Sequence, residues 1–151
     1  MIDNRIVQNF FTHIEKGHWV DVESFLTEDF VFRSAAEEHE SLLAFRLSKE
    51  DWLKAQRAVR EAFPDWSFNL SSSRKVSDDV VDVKVRVTGT HTETLMLPFP
   101  EFRPIMASGV KIELPEERVT VTLREGKIVA MHLHNIEDGG IAGILKQLNI
   151  S

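Results

Sequence analysis

The sequence predicts an α+β domain in which a curved antiparallel sheet packs on segregated helices. Three observations carry that reading. Apolar residues recur at helical spacing early in the chain, they alternate in twos through its second half, and a short helix follows a glycine-rich joint at the end. With 151 residues, 42% of them hydrophobic and 28% charged, the chain is expected to form one domain spanning 1–151 with a substantial core.

Each element follows from its residues. In "IDNRIVQNFFTHIEKG" the side chains Ile6, Val7, Phe10, Phe11 and Ile14 share a helical face; Asp3 is placed to cap it and Gly17 to close it. "WVDVESFLTED" reads as a second short helix with Val22, Phe25 and Leu26 on one side. "FVFRS" is short, aromatic and β-branched, hence a strand, and residues 35 to 47, with their "EEHE" cluster, read as a loop. Ser48 opens the next helix in a capping-box-like S-x-x-D, and Pro64 stops it. The period then changes to two: "WSFNLS" places Trp66, Phe68 and Leu70 on one face, and "VVDVKVRVTGTH" sets Val81, Val83, Val85 and Val87 opposite polar partners. Three prolines make residues 95 to 106 an apolar loop, one that would cover a pocket or meet a partner. Two further strands follow, the first broken at Pro115, then "DGGIAG" and the terminal helix "ILKQLN".

Composition excludes several functions. A net charge of −6 argues against nucleic-acid and polybasic membrane partners. No apolar run approaches the ~18 residues of a membrane span. The N-terminal stretch lacks a signal-peptide pattern, so a cytoplasmic location is expected. Cysteine is absent, which removes thiolate metal sites and cysteine nucleophiles. No phosphate-binding glycine loop, nucleophile elbow or H-E-x-x-H motif is present.

"EDFVF" on the first strand, "FPDW" after an amphipathic helix, "TGTHT" ending a long strand, "REGKIV" as a hairpin and the terminal "GILKQL" occur in an order that resembles the SnoaL-like polyketide cyclases. These belong to the nuclear transport factor 2-like superfamily, with ketosteroid isomerase, scytalone dehydratase and limonene epoxide hydrolase. The resemblance implies a cone-shaped α+β fold, a homodimer, and a mostly apolar pocket between helices and concave sheet. In the cyclases the last strand carries a tryptophan and then an aspartate that acts as acid or base. Here the tryptophan position falls near His132 and the aspartate position around Asn135 to Glu137. Asn135 cannot act as a base, so the family mechanism does not carry over directly.

The same strand holds "MHLHN", with two of the chain's six histidines. Their direction depends on the preceding turn. "REGK" favours a three-residue loop with Gly126 left-handed, pairing Leu123 with Lys127, Val121 with Val129 and Val119 with Met131. Met131, Leu133 and Asn135 would then face the concave side, and His132 and His134 the convex, dimer-forming side; a two-residue loop would reverse every assignment. A zinc site on the histidine pair lacks a third ligand at recognisable spacing, and no metal or cofactor is expected.

Six other residues complete the candidate site. His91 shares the parity of Val83 to Val87 and reads either as a general acid/base in an apolar cavity or as a satisfied core histidine. Asn135 would hydrogen-bond a developing oxyanion. Trp52 and Trp66 read as core or as ligand platforms, Glu137 as a carboxylate of raised pKa or an exposed cap, and Arg33 as an anion contact or a surface ion pair. The sequence thus supports a hydrophobic small-molecule protein. Its chemistry would be cofactor-independent proton transfer on a carbonyl compound (cyclisation, isomerisation or dehydration). The alternative is a non-catalytic ligand-binding or dimeric interaction module of the same fold.

Overall fold

A computed structural model describes residues 4–34, 46–100, 102–134 and 136–149. The expected cap Asp3, the 35–45 part of the expected loop, and Asn135 lie outside them.

The apolar stripe predicted near the N-terminus forms α1 (Asn4–Lys16), whose Val7, Phe10 and Ile14 are fully buried. The second helix is shorter than its sequence suggests. After α2 (Trp19–Ser24) the chain turns at Phe25 into β1 (Leu26–Ser34), so "LTED" is strand rather than helix. Pairing with the last strand decides this, since Leu26 lies opposite Ile128 and the Ile128 N–H donates to the Phe25 carbonyl at 2.8 Å; such context overrides local preference. The short β2 (Arg46–Ser48) leads into α3 (Lys49–Ala62). Its cap is the one the sequence indicates: Ser48 Oγ accepts the Asp51 N–H at 3.3 Å. Pro64 follows directly on the helix end at Phe63.

The next strand sits later than expected. Residues 66–71 form no ladder, because the Phe68 N–H goes to Glu15 Oε2 at 2.7 Å, Ser67 makes an isolated bridge to Thr88, and Asn69 has φ 44°. Trp66 and Phe68 are nonetheless buried. The strand is instead β3 (Ser72–Ser77), a polar edge strand with no apolar alternation to reveal it. Then come β4 (Val80–Val85), β5 (Thr88–Thr90), the irregular apolar segment, β6 (Lys111–Glu113), β7 (Glu117–Arg124), β8 (Lys127–Leu133) and α4 (Gly140–Gln147). The break at Pro115 is as expected. Six strands form one sheet in the order β2-β1-β8-β7-β4-β3, and β5 and β6 form a separate ribbon. The sheet is mixed rather than purely antiparallel, since β1 and β8 run parallel.

The β7–β8 hairpin departs from the sequence reading in two ways that cancel. Its loop has two residues, not three: Arg124 pairs with Lys127, and Glu125 and Gly126 both have positive φ, 53° and 81°, as a type I′ turn requires. Taken alone, that would turn the histidines inward. A bulge corrects it, because Leu123 pairs with Ile128 but Thr122 with Ala130, which leaves Val129 as the extra residue. Val119 therefore pairs with Leu133 and Val121 with Met131. The faces come out as expected by a different register.

Helices and sheet share one buried cluster. The Phe10 ring stacks on Trp52 of α3 at 5.8 Å and meets Phe11 and Phe25 edge-on at 5.6 and 5.7 Å. Arg60 Nε donates to the Glu15 carbonyl at 2.7 Å, a second tie between α1 and α3. Phe10→Ala is expected to lower stability by about 3–5 kcal/mol, read from urea unfolding, because it empties a fully buried aromatic site. A loss below about 1 kcal/mol would contradict this packing.

Two of the sequence's signature segments meet. Asp65 of "FPDW" accepts the Thr90 N–H at 2.6 Å and the Thr90 hydroxyl at 2.8 Å, and these bonds hold its pKa below the ordinary carboxylate value. Gly89 of "TGTHT" lies against Phe63, where a Cβ would sit 3.1 Å from the Phe63 Cβ.

Candidate functional site

Between α3, α4 and the concave side of the sheet lies a cavity of about 360 Å³. Its wall is mostly apolar, as the inward parity of Val85, Val119, Met131 and Leu133 dictates. Trp52 and Trp66, read from the sequence as core or as ligand platforms, and Met131, read as facing the concave side, all line it. The indole Nε1–H of Trp66 is buried without a hydrogen-bond partner among the described residues.

The distinctive group is Glu117, at the first position of β7. Its side chain is 3% exposed, and burial pushes its pKa from 4.5 to about 7. A single backbone donor opposes that shift: Gly140 N–H, at the start of α4, reaches Glu117 Oε2 at 3.0 Å. The glycine joint is what permits this approach. A Cβ on Gly139 would lie 2.8 Å from the same oxygen, and Gly140 adopts φ +63°. At its other end α4 is fixed by Gln147, which accepts the Glu113 N–H at 2.8 Å and donates to the Glu113 carbonyl at 2.7 Å. A carboxyl group in an apolar cavity with a pKa near neutrality can both accept and return a proton at physiological pH.

Glu117 is absent from the sequence-based set, although a signal for it existed. It has the parity of Val119, Val121 and Leu123, but it sits beside Pro115 in the charged run "PEER", which reads as a surface break. The carboxylate of the cavity is thus Glu117 and not Glu137, which is exposed and does not line it. Asp138 beside it turns outward to Lys146 Nζ at 2.6 Å.

His91 and Arg33 are also placed away from the cavity. His91 is fully buried, as its parity suggests, but it does not line the cavity, and its ring stacks on Phe63 at 5.3 Å. Its Nδ1 accepts the Ser108 N–H at 3.3 Å and lies 2.9 Å from Ser108 Oγ, which leaves the proton on Nε2. Arg33 pairs across from His132 on the face of β1 opposite Phe32 and Ser34, the two neighbours that do line the cavity. The described residues of the proline-rich segment do not line the cavity, and Leu95 and Ile105 form a bridge within it.

His132 and His134 lie on the convex face and stack on each other at 4.5 Å. Thr120 Oγ1 donates to Asp82 Oδ1 at 2.7 Å, so its oxygen accepts from His134 Nε2, also at 2.7 Å. Arg118 then donates toward Nδ1 at 3.3 Å. Burial first, then Arg118 and His132, depress the His134 pKa. His134 is therefore tied into a polar network away from the cavity, and His132, whose buried Nε2 has no hydrogen-bond partner among the described residues, packs on its ring.

No helix among the described residues is long and apolar enough to cross a membrane. No curated protein matches the chain. Among solved structures it is similar to IdmH of Streptomyces antibioticus, provisionally assigned as a polyketide cyclase. The TM-score is 0.69 at 17% identity, covering 97% of each chain. AclR of Streptomyces galilaeus, provisionally assigned as a hydroxylase, gives 0.70 at 17% identity over 96% of this chain and 93% of that one. A provisionally assigned polyketide cyclase from Xanthomonas campestris pv. campestris gives 0.66 at 16%, over 97% and 99%. Together with nuclear transport factor 2-like and ketosteroid isomerase-like neighbours, these show the fold. The family model of the SnoaL-like domain matches residues 7–143, and the chain belongs to that family.

Proposed function

We propose that the chain binds a hydrophobic carbonyl compound in the cavity and that Glu117 moves a proton on it without a cofactor. One observation carries the reading: a buried carboxyl group with its pKa raised to about 7 lines a mostly apolar chamber, whose wall also holds Ser34 and Gln56. Such a wall suits a ring system and suits an ionic ligand poorly. Abstraction of an α-proton by the Glu117 carboxylate leaves an enolate; return of the proton at another carbon completes an isomerisation, and attack of the enolate carbon on a second carbonyl of the same molecule, with the proton passed to the new alkoxide, completes a cyclisation. This reading moves the acid/base role from His91 to Glu117.

2-Tetralone in deuterated buffer tests it, with α-proton exchange followed by NMR. The wild-type protein is expected to accelerate exchange over buffer, and Glu117→Gln to remove the acceleration. Saturable binding of the ketone without any acceleration would replace this reading by the non-catalytic one, which the apolar wall also supports.

A further inference from the structure

Away from the cavity, the α1–α2 junction brings together three side chains that the proposed chemistry does not use. Among the described residues, His13, His18 and Asp21 are the one group of metal-ligating side chains whose ligand atoms all lie within 4.8 Å of one another. His13 Nδ1 is 3.2 Å from His18 Nδ1 and 4.0 Å from Asp21 Oδ2. None of the three lines the cavity.

The backbone builds this cluster. Gly17, at φ +71°, ends α1 in a left-handed turn; its N–H donates to the Ile14 carbonyl at 3.0 Å and the His18 N–H to the His13 carbonyl at 3.0 Å. That is a Schellman motif, which folds the residue after the glycine back onto the last helical turn. The contact there is commonly hydrophobic, yet here two imidazoles occupy it, with Phe25 5.7 Å from the His13 ring. His18 then precedes α2, and Asp21 falls in that helix's first turn.

We propose that His13, His18 and Asp21 form a site for a divalent transition ion of the zinc class. Two facing Nδ1 atoms can share at most one proton between them as a hydrogen bond, whereas a cation satisfies both lone pairs at once. Two nitrogens about 2.0 Å from a tetrahedral ion stand about 3.3 Å apart, close to the separation these rings already have. A small rotation of the exposed Asp21 side chain brings its carboxylate to the third corner, and water takes the fourth. Imidazole donors select zinc, nickel, cobalt or copper over magnesium. Bound there, the ion joins the end of α1 to the start of α2.

Calorimetric titration of the tag-free protein with Zn²⁺ tests the site, with Mg²⁺ as control. One Zn²⁺ per chain is expected, with no Mg²⁺ heat. His18→Ala and Asp21→Asn, both at exposed positions, should each weaken binding by about 10-fold or more. The His132→Ala/His134→Ala double variant should bind as the wild type does. Circular dichroism of each variant confirms the fold. Absence of Zn²⁺ binding by the wild type, or undiminished binding by His18→Ala, overturns the proposal. So does loss of binding confined to the His132/His134 double variant.

Discussion

Glu117→Gln is expected to abolish proton exchange on a bound ketone and, in the same protein, to raise the thermal midpoint at pH 8. The first effect removes the base, a loss of about 10²–10⁴-fold. The second follows from linkage. In the fold Glu117 titrates near 7, above its reference value of 4.5, so the folded state holds the proton more tightly than the unfolded chain. Its contribution to stability is fully present below about pH 4.5 and is lost as the pH rises through 7. The 2.5-unit difference between those values corresponds to at most about 3 kcal/mol. Glutamine keeps an acceptor for the Gly140 N–H and carries no charge, so the variant lacks this decline. Calorimetric scans at pH 4, 5, 6, 7 and 8 should show the two proteins together at pH 4, diverging from pH 5 upward, and the variant ahead by several degrees at pH 8. Parallel curves across that range would mean that Glu117 is not buried as a carboxylate.

Gly143→Ala is expected to undock the start of α4, lowering stability by about 1–3 kcal/mol or more and opening the cavity. A methyl group at Gly143 would run into the carbonyl group of Asp138 and approach Leu114 Cδ2 to 3.1 Å. The first obstacle is backbone, held in a turn where Asp138 has φ 67°, and it cannot rotate away as a side chain could. The helix must shift instead, carrying the Gly140 N–H away from Glu117. Water then reaches the carboxyl group, and its pKa falls toward the ordinary value. Urea unfolding should show the stability loss, and the acidic limb of the exchange rate should move to lower pH. An unchanged unfolding midpoint would show that α4 can absorb the methyl group, and would remove the argument that its glycines set the site.

Much of the architecture could be read where the chemistry is local. Ser48 needs only a nearby N–H, Pro64 and Pro115 act through their own rings, and the valine alternation of β4 reports directly on a half-buried strand. The failures have a common cause. Leu26 became strand because Ile128, about a hundred residues away, pairs with it, and "WSFNLS" lost its ladder to the side chain of Glu15. No local pattern carries either partner. The site divides the same way. Trp52, Trp66 and Met131 follow from periodicity, whereas the meaning of Glu117 depends on a glycine joint that meets it only in three dimensions. His91 shows the limit of parity, which gave its direction but not its packing on Phe63 away from the cavity.

The paired turn and bulge of the β7–β8 hairpin bear on how this strand can tolerate insertion and deletion. Val129 is the residue without a partner, so its deletion alone joins the Leu123–Ile128 and Thr122–Ala130 pairs into a regular ladder and leaves Met131 opposite Val121, facing the chamber. One residue inserted between Ala130 and Met131 would instead shift everything beyond it by one position, turning His132 and His134 toward the chamber wall and Met131 outside. The bulge is thus a place of slack in an otherwise phase-locked strand. A residue lost there is silent, whereas a residue gained in the paired run beyond it exchanges the inside of the protein for the outside.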